Sequence, residues 1–119
     1  CYDPGGVARI VRRLGPQAAR RMLLAAETFD TAALLALGFL DRAVAREGFA
    51  AEVGAMADRI AALAPLAVQG MKRTIVELGE GGIDAAAARA RVAAAWASED
   101  LREGLAAMRE KRQPDFRGR

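Results

Sequence analysis

Between Phe49 and Leu63 the apolar residues Phe49, Val53, Met56, Ile60 and Leu63 recur at steps of four, three, four and three. That spacing keeps them on one side of an α-helix, and it predicts a helix over Gly48–Ala64. Pro65 interrupts the period and can open the next helix, in which Val68, Met71, Ile75 and Leu78 are expected to face inward until Gly79. Gly81-Gly82 marks a loop, and Asp84 to Ala97 follows as an alanine-rich helix. Its small side chains permit close approach to a neighbour, and Trp96 is its expected anchor.

Upstream the pattern is more broken. Asp3-Pro4-Gly5-Gly6 reads as a turn, because it joins a fixed backbone angle to two permissive residues. Val7, Ile10, Val11 and Leu14 then share a helical face, and Gly15-Pro16 supplies a stop followed by a proline suited to the first turn of another helix. Met22, Leu23 and Ala26 continue the apolar side of that second helix. Asp30 is placed to cap a third, which Gly38 ends. Phe39 to Val44, with Leu40 and Val44 at alternating positions, is the best candidate for a strand. A lone strand needs a partner, and the expected partner is a sheet outside this chain.

The last pattern runs from Ser98 to Phe116. Ser98 can cap a helix, Glu99 and Asp100 place acid in its first turn, and Leu101, Leu105 and Met108 fall on one face. Lys111 and Arg112 place base at its end, and Pro114 is expected to stop it. Only Arg117-Gly118-Arg119 looks free.

Composition sharpens this picture. With 119 residues and 53% hydrophobic content the chain supports one compact core, and aromatics at 5% leave Ala, Leu, Val, Ile and Met to fill it. Such a core favours helices over a sheet. The net charge is +3 and the pI near 9.7, carried mainly by arginine. There is no histidine, so histidine-based catalysis or metal binding within this segment is excluded. The single cysteine, Cys1, cannot form an internal disulfide, and no metal site is expected. No apolar run is long enough to span a bilayer, and a cytoplasmic setting is the default expectation. The first residue is not Met, and the chain is expected to be a fragment of a longer protein.

The string S-E-D, two residues, E-G, six residues, K-R, then Pro114 and Phe116, resembles the C-terminal signature of the enoyl-CoA hydratase/isomerase (crotonase) family. The likeness continues along the chain. Gly5-Gly6, two residues, Arg9-Ile10, two residues, Arg13-Leu14-Gly15 is similar to that family's glycine-glycine, arginine and glycine run, with Val7-Ala8 where Thr-Gln is common. Ala19–Leu24, Ala32–Leu40, Ile60-Ala61, Ala64-Pro65 and Lys72 keep the register.

The resemblance implies a fold: a mainly α chain of about five to seven helices with at most one short strand, the helical C-terminal region of a crotonase-like α/β spiral. Residues 1–46 would end the spiral core and residues 47–119 would form the helical trimerisation region. It implies acyl-CoA as the substrate of the intact protein, no tightly bound cofactor, coenzyme A entering as part of the substrate, and a homo-oligomer, either a trimer or a dimer of trimers. The oxyanion hole and the catalytic glutamates of such a protein would lie before Cys1, so this segment alone is expected to be inactive.

Three residues carry what chemistry the resemblance leaves here. Asp3 falls six residues before Arg9, where some isomerase members have a catalytic aspartate that moves a proton along an acyl chain. Aspartate before Pro-Gly-Gly is more often a turn residue bonded to its own backbone. Lys111 matches a lysine that approaches the nucleotide phosphates of coenzyme A, and Met108 sits where an aromatic ring often packs on adenine. The plainer alternative is that Lys111 complements the helix terminus and Met108 fills core. Two other functional classes stand beside the enzyme fragment: a basic helical nucleic-acid-binding domain, and a helical oligomerisation module without chemistry. The first should cluster Arg, Lys, Asn or Gln on one recognition helix. Here there is no asparagine and the arginines are spread over several helices, so neither nucleic acid nor membrane is an expected partner.

Overall fold

The computed structural model describes residues 1–119 as six α-helices and their connections, with no β-strand. The chain divides into two units, residues 1–49 and 50–119.

In the first unit, α1 spans Pro4–Leu24. Pro4 stands in its first turn, and Asp3 caps it by accepting the Gly6 N–H at 3.1 Å. Gly15, with φ 78 and ψ 160, breaks α1 into two arms. Only glycine tolerates that combination, and the expected stop at Gly15-Pro16 is present as a break between two helical segments that meet at a kink. Leu14, Ala18 and Ala19 are buried on either side of the kink. The following loop is tied by Arg21, whose Nε donates to Glu27 at 2.7 Å and whose guanidinium lies 4.8 Å from the Phe29 ring centroid. Arg21 holds the Glu27 carboxyl below its ordinary range. Asp30 caps α2 (Thr31–Ala36), accepting the Ala33 N–H at 2.8 Å, and Gly38 at φ 69 turns the chain away.

Phe39–Val44, expected as a strand, is irregular, and a three-residue 3₁₀ turn at Arg46–Gly48 follows it. The correction has a simple cause. No second extended segment exists in the chain to receive its N–H and C=O groups, so alternation alone builds no strand.

Helix α3 (Phe49–Ala61) starts at the last residue of the first unit, and the second unit holds the rest of it with α4 (Pro65–Gly79), α5 (Ala85–Ala97) and α6 (Glu99–Glu110). Their boundaries follow the expected punctuation: Pro65 opens α4, Asp84 caps α5 through the Ala86 and Ala87 N–H groups, and Ser98 caps α6 through the Leu101 N–H at 3.1 Å. The two backbone N–H groups hold the Asp84 carboxyl below its usual range. Helix α5 packs against both α4 and α6. Between α4 and α5 lies an ion-pair network. Glu77 of α4 accepts Arg73 at 2.8 Å and Arg91 of α5 at 2.6 Å, and Arg91 also reaches Thr74 at 3.3 Å. The guanidiniums of Arg73 and Arg91 lower the Glu77 pKa.

The apolar faces depart from expectation. Met71, Ile75 and Leu78 of α4 are exposed, as are Phe49, Val53 and Ile60 of α3, and Trp96 is 74% exposed. Trp96 therefore anchors nothing within this chain. With Leu66, Met71, Ile75 and Val92 it lines an open groove of about 500 Å³ between α4 and α5. Helical periodicity locates an apolar face correctly, but it does not say whether the surface that covers that face belongs to the same chain.

Candidate functional site

A second cluster of polar groups in this unit lies at α6 and the segment after it. Ser98 starts the helix, and Glu99 and Asp100 stand in its first turn, where acid complements the helix dipole. Asp100 does more than that. It is 3% exposed, its Oδ1 accepts the Arg117 N–H at 2.7 Å, and its Oδ2 accepts the Gly118 N–H at 2.8 Å. In return the Arg119 main-chain oxygen accepts the N–H groups of Glu99 at 2.7 Å and Asp100 at 3.2 Å. Two donors left open at the start of every helix are thus satisfied by the end of the chain. Arg117–Arg119, expected to be free, is clasped. The cause is a contact between residues 17 and 18 positions apart, beyond the reach of local pattern.

One turn along α6 a second carboxylate acts in the same way. Glu103 accepts Arg112 Nη1 at 2.5 Å and Nη2 at 2.9 Å, and also the Asp115 N–H at 2.8 Å. The Arg112 guanidinium and that backbone N–H hold the Glu103 carboxyl down at about 2. Gly104 makes room for the Phe116 ring, since a Cβ there would stand 3.4 Å from Phe116 Cε1. Acids and bases form a recess of about 260 Å³ lined by Glu99, Asp100, Glu103, Asp115, Arg117 and Arg119. An apolar recess of about 420 Å³ includes Leu101, Leu105, Met108 and Phe116.

Helix α6 ends at Glu110, before Pro114 can act, because Lys111 adopts the left-handed conformation with φ 54 and ψ 39. The Arg112 N–H then bonds back to the Ala107 carbonyl at 3.0 Å, and the Lys111 N–H to that of Met108 at 3.4 Å. This closes the helix as glycine usually does, with a lysine in glycine's place at a cost of about 1 kcal/mol.

The predicted site residues now have positions. Lys111 is exposed and makes no ion pair, whereas the acids on either side of it are engaged: Glu103 and Glu110 by Arg112, and Asp115 by Arg117. Met108, one turn earlier on α6, is 76% exposed, so it fills no core of this chain. Met108 and Lys111 therefore stand together at one helix end, with an apolar recess beside them. Asp3 lies in the other unit, exposed, as the cap of α1. Gly5 and Gly6 serve that cap, since a Cβ on either would stand 3.0 Å from an Asp3 carboxylate oxygen. Asp100 and Glu103 were legible only as helix-start acid and as part of the S-E-D…E-G string.

Several arginines are tied to acids, whereas Arg9, Arg12, Arg13 and Arg20 of α1 are exposed. Arg21, Arg73, Arg91, Arg112, Arg117 and Arg119 are each paired with a carboxylate. No helix is long and apolar enough to cross a membrane.

The family model for enoyl-CoA hydratase/isomerase matches residues 1–119. The chain belongs to the enoyl-CoA hydratase/isomerase family. It is 36% identical over 118 residues to a probable enoyl-CoA hydratase of Mycobacterium bovis, covering 98% of this chain and 46% of that protein. It is 29% identical over 117 residues to the 2,3-dehydroadipyl-CoA hydratase of Escherichia coli, covering 97% of this chain and 46% of that protein. Among solved structures, an enoyl-CoA hydratase/carnithine racemase of Magnetospirillum magneticum superimposes with a TM-score of 0.82 at 34% identity, over 100% of this chain and 45% of that one. The chain thus spans about half the length of the curated relatives it matches. Its all-helical architecture accords with a helical portion of the crotonase fold.

Proposed function

We propose that this enoyl-CoA hydratase/isomerase-family chain is the closing, helical portion of a protein that processes acyl-CoA thioesters, contributing part of the coenzyme A site and surfaces for assembly. The observation that carries the reading is the end of α6. There an exposed, unpaired ammonium at Lys111 follows the exposed thioether of Met108, and the surrounding acids are already engaged by arginines. A compact cation with no acid partner suits nucleotide phosphates, and a polarizable thioether suits the face of an adenine. Residues that would polarise a thioester carbonyl or activate water are assigned to the rest of the protein, so this chain alone is inactive. Asp3, on this reading, moves a proton along the acyl chain in the whole protein, its carboxylate fixed by the Gly6 N–H. Full isomerase turnover by the whole protein carrying Asp3→Asn would remove that role.

The exposed apolar faces of α3 and α4 and the exposed Trp96 support a homo-oligomer, because a soluble chain rarely leaves so many large apolar side chains in water.

Coenzyme A titrated against the whole protein should shift the amide resonances of Met108 to Arg112. Lys111→Glu should weaken the interaction by about tenfold, the scale of one lost charge-assisted contact. An affinity that does not change on that substitution excludes Lys111 from the site.

A further inference from the structure

Lys111 occupies a backbone conformation that L-residues avoid, at a helix end where glycine would sit without strain. Such a conformation persists only when its surroundings fix it. Beside the backbone bonds to Ala107 and Met108, one carboxylate contacts the residues that follow Lys111. Glu103 grips Arg112, the residue immediately after Lys111, through both Nη atoms, and with the same Oε1 it holds the Asp115 N–H at 2.8 Å. Arg112 Nη1 also donates to the Gln113 carbonyl at 3.1 Å, so residues 112–115 form a closed loop around the Glu103 carboxylate. Lys111 is the hinge between that loop and α6.

We infer that Glu103 is a positioning residue for Lys111, holding the 111–115 turn so that the ammonium stays fixed at the exposed end of α6. The inference rests on the proposed contact between Lys111 and the phosphates of coenzyme A. It has a sign that charge alone does not give. An acid near a phosphate site repels the ligand, so neutralising Glu103 should tighten coenzyme A binding if its charge is all that matters. If Glu103 acts by holding the turn, the same substitution weakens binding, because a mobile lysine must be ordered when the ligand arrives.

The test is a titration of the whole protein that contains this chain with coenzyme A, followed by the affinity and by the amide resonances of residues 108–115, for the wild type and three variants. Glu103→Gln keeps the side chain's size and one acceptor oxygen but loses the ionic grip on Arg112; it should weaken binding about fivefold and broaden the Lys111 amide. Lys111→Gly should lower affinity while raising the melting temperature, because glycine relieves the left-handed strain. Ser98→Ala loosens α6 at its other end and should leave affinity unchanged. Binding by Glu103→Gln that equals or exceeds wild type, or a Ser98→Ala loss as large as that of Glu103→Gln, overturns the positioning role. A Lys111→Gly variant that binds as wild type instead overturns the coenzyme A contact itself, and the positioning role with it.

Discussion

Two regions beside α5 have opposite character. On one side, between α4 and α5, Met71, Ile75, Val92 and Trp96 stand in an open apolar groove. On the other, after Ser98, α6 and the last residues of the chain satisfy one another. Asp100, Glu103, Arg112, Arg117 and the main-chain groups of 115–119 form a closed set of hydrogen bonds. Hydrogen bonds demand partners at fixed geometry, so the clasp is completed within the chain. Apolar surface makes no such demand of geometry, and here it stands open. After Ser98 the polar contacts are closed within the chain, whereas the groove between α4 and α5 is open.

The largest expected effect bears on the completed side. Asp100→Ala leaves the Arg117 and Gly118 N–H groups without their acceptor and empties a buried position, with an expected loss of about 3 kcal/mol by urea unfolding. Hydrogen exchange at residues 117 and 118 should speed up at the same time. A loss under about 0.5 kcal/mol would make the clasp a decoration of α6 rather than a support.

How much of this was legible beforehand follows the same division. Helix starts at Asp30, Pro65, Asp84 and Ser98 were readable because capping acts within three residues of the cap. The kink at Gly15 was readable as punctuation for the same reason. Phe39–Val44 was not, since strand formation depends on a partner and alternation reports only one side of the pair. The clasp was not, since Asp100 meets Arg117 across 17 positions and no periodicity links them. At Lys111 the sequence pointed to Pro114 as the stop, whereas the left-handed turn ends α6 three residues sooner. The turn is closed by backbone bonds to Ala107 and Met108, and Arg112 after it meets Glu103 across nine positions, another distant contact. Of the site, Lys111 and Met108 were named through family resemblance, but their exposure and the engagement of every neighbouring acid are matters of tertiary structure.

A second, smaller effect sharpens the contrast by pH. Folding lowers the Glu103 pKa from an ordinary value of 4.5 to about 2, because the Arg112 guanidinium and the Asp115 N–H favour its ionised form. A depressed carboxyl contributes stability that is fully present above the ordinary value and is lost as pH falls through the folded one. The Glu103 clasp should therefore hold at neutral pH, weaken below about 4.5 and be gone below about 2. The Asp115 amide resonance reports this directly. In Glu103→Gln that resonance should no longer follow the titration, and an unchanged profile would place the controlling carboxyl elsewhere.

The smallest expected effect on folding is at the unfinished side. Trp96 is 74% exposed, so Trp96→Gln removes little buried area from this chain, and its urea midpoint should correspond to a change within about 0.5 kcal/mol. A tryptophan that anchors a core would cost about 3 kcal/mol or more on truncation, so the two cases separate cleanly. The same substitution should reduce concentration-dependent association in sedimentation experiments, because the apolar area lost is area that only another surface can cover. A monomer that loses several kcal/mol on this change would show that the groove closes within the chain, and the contrast between the two sides of α5 would fail. Unchanged stability with weaker association would instead mark Trp96 as a contact residue of the proposed assembly, whose folding within this chain does not need it.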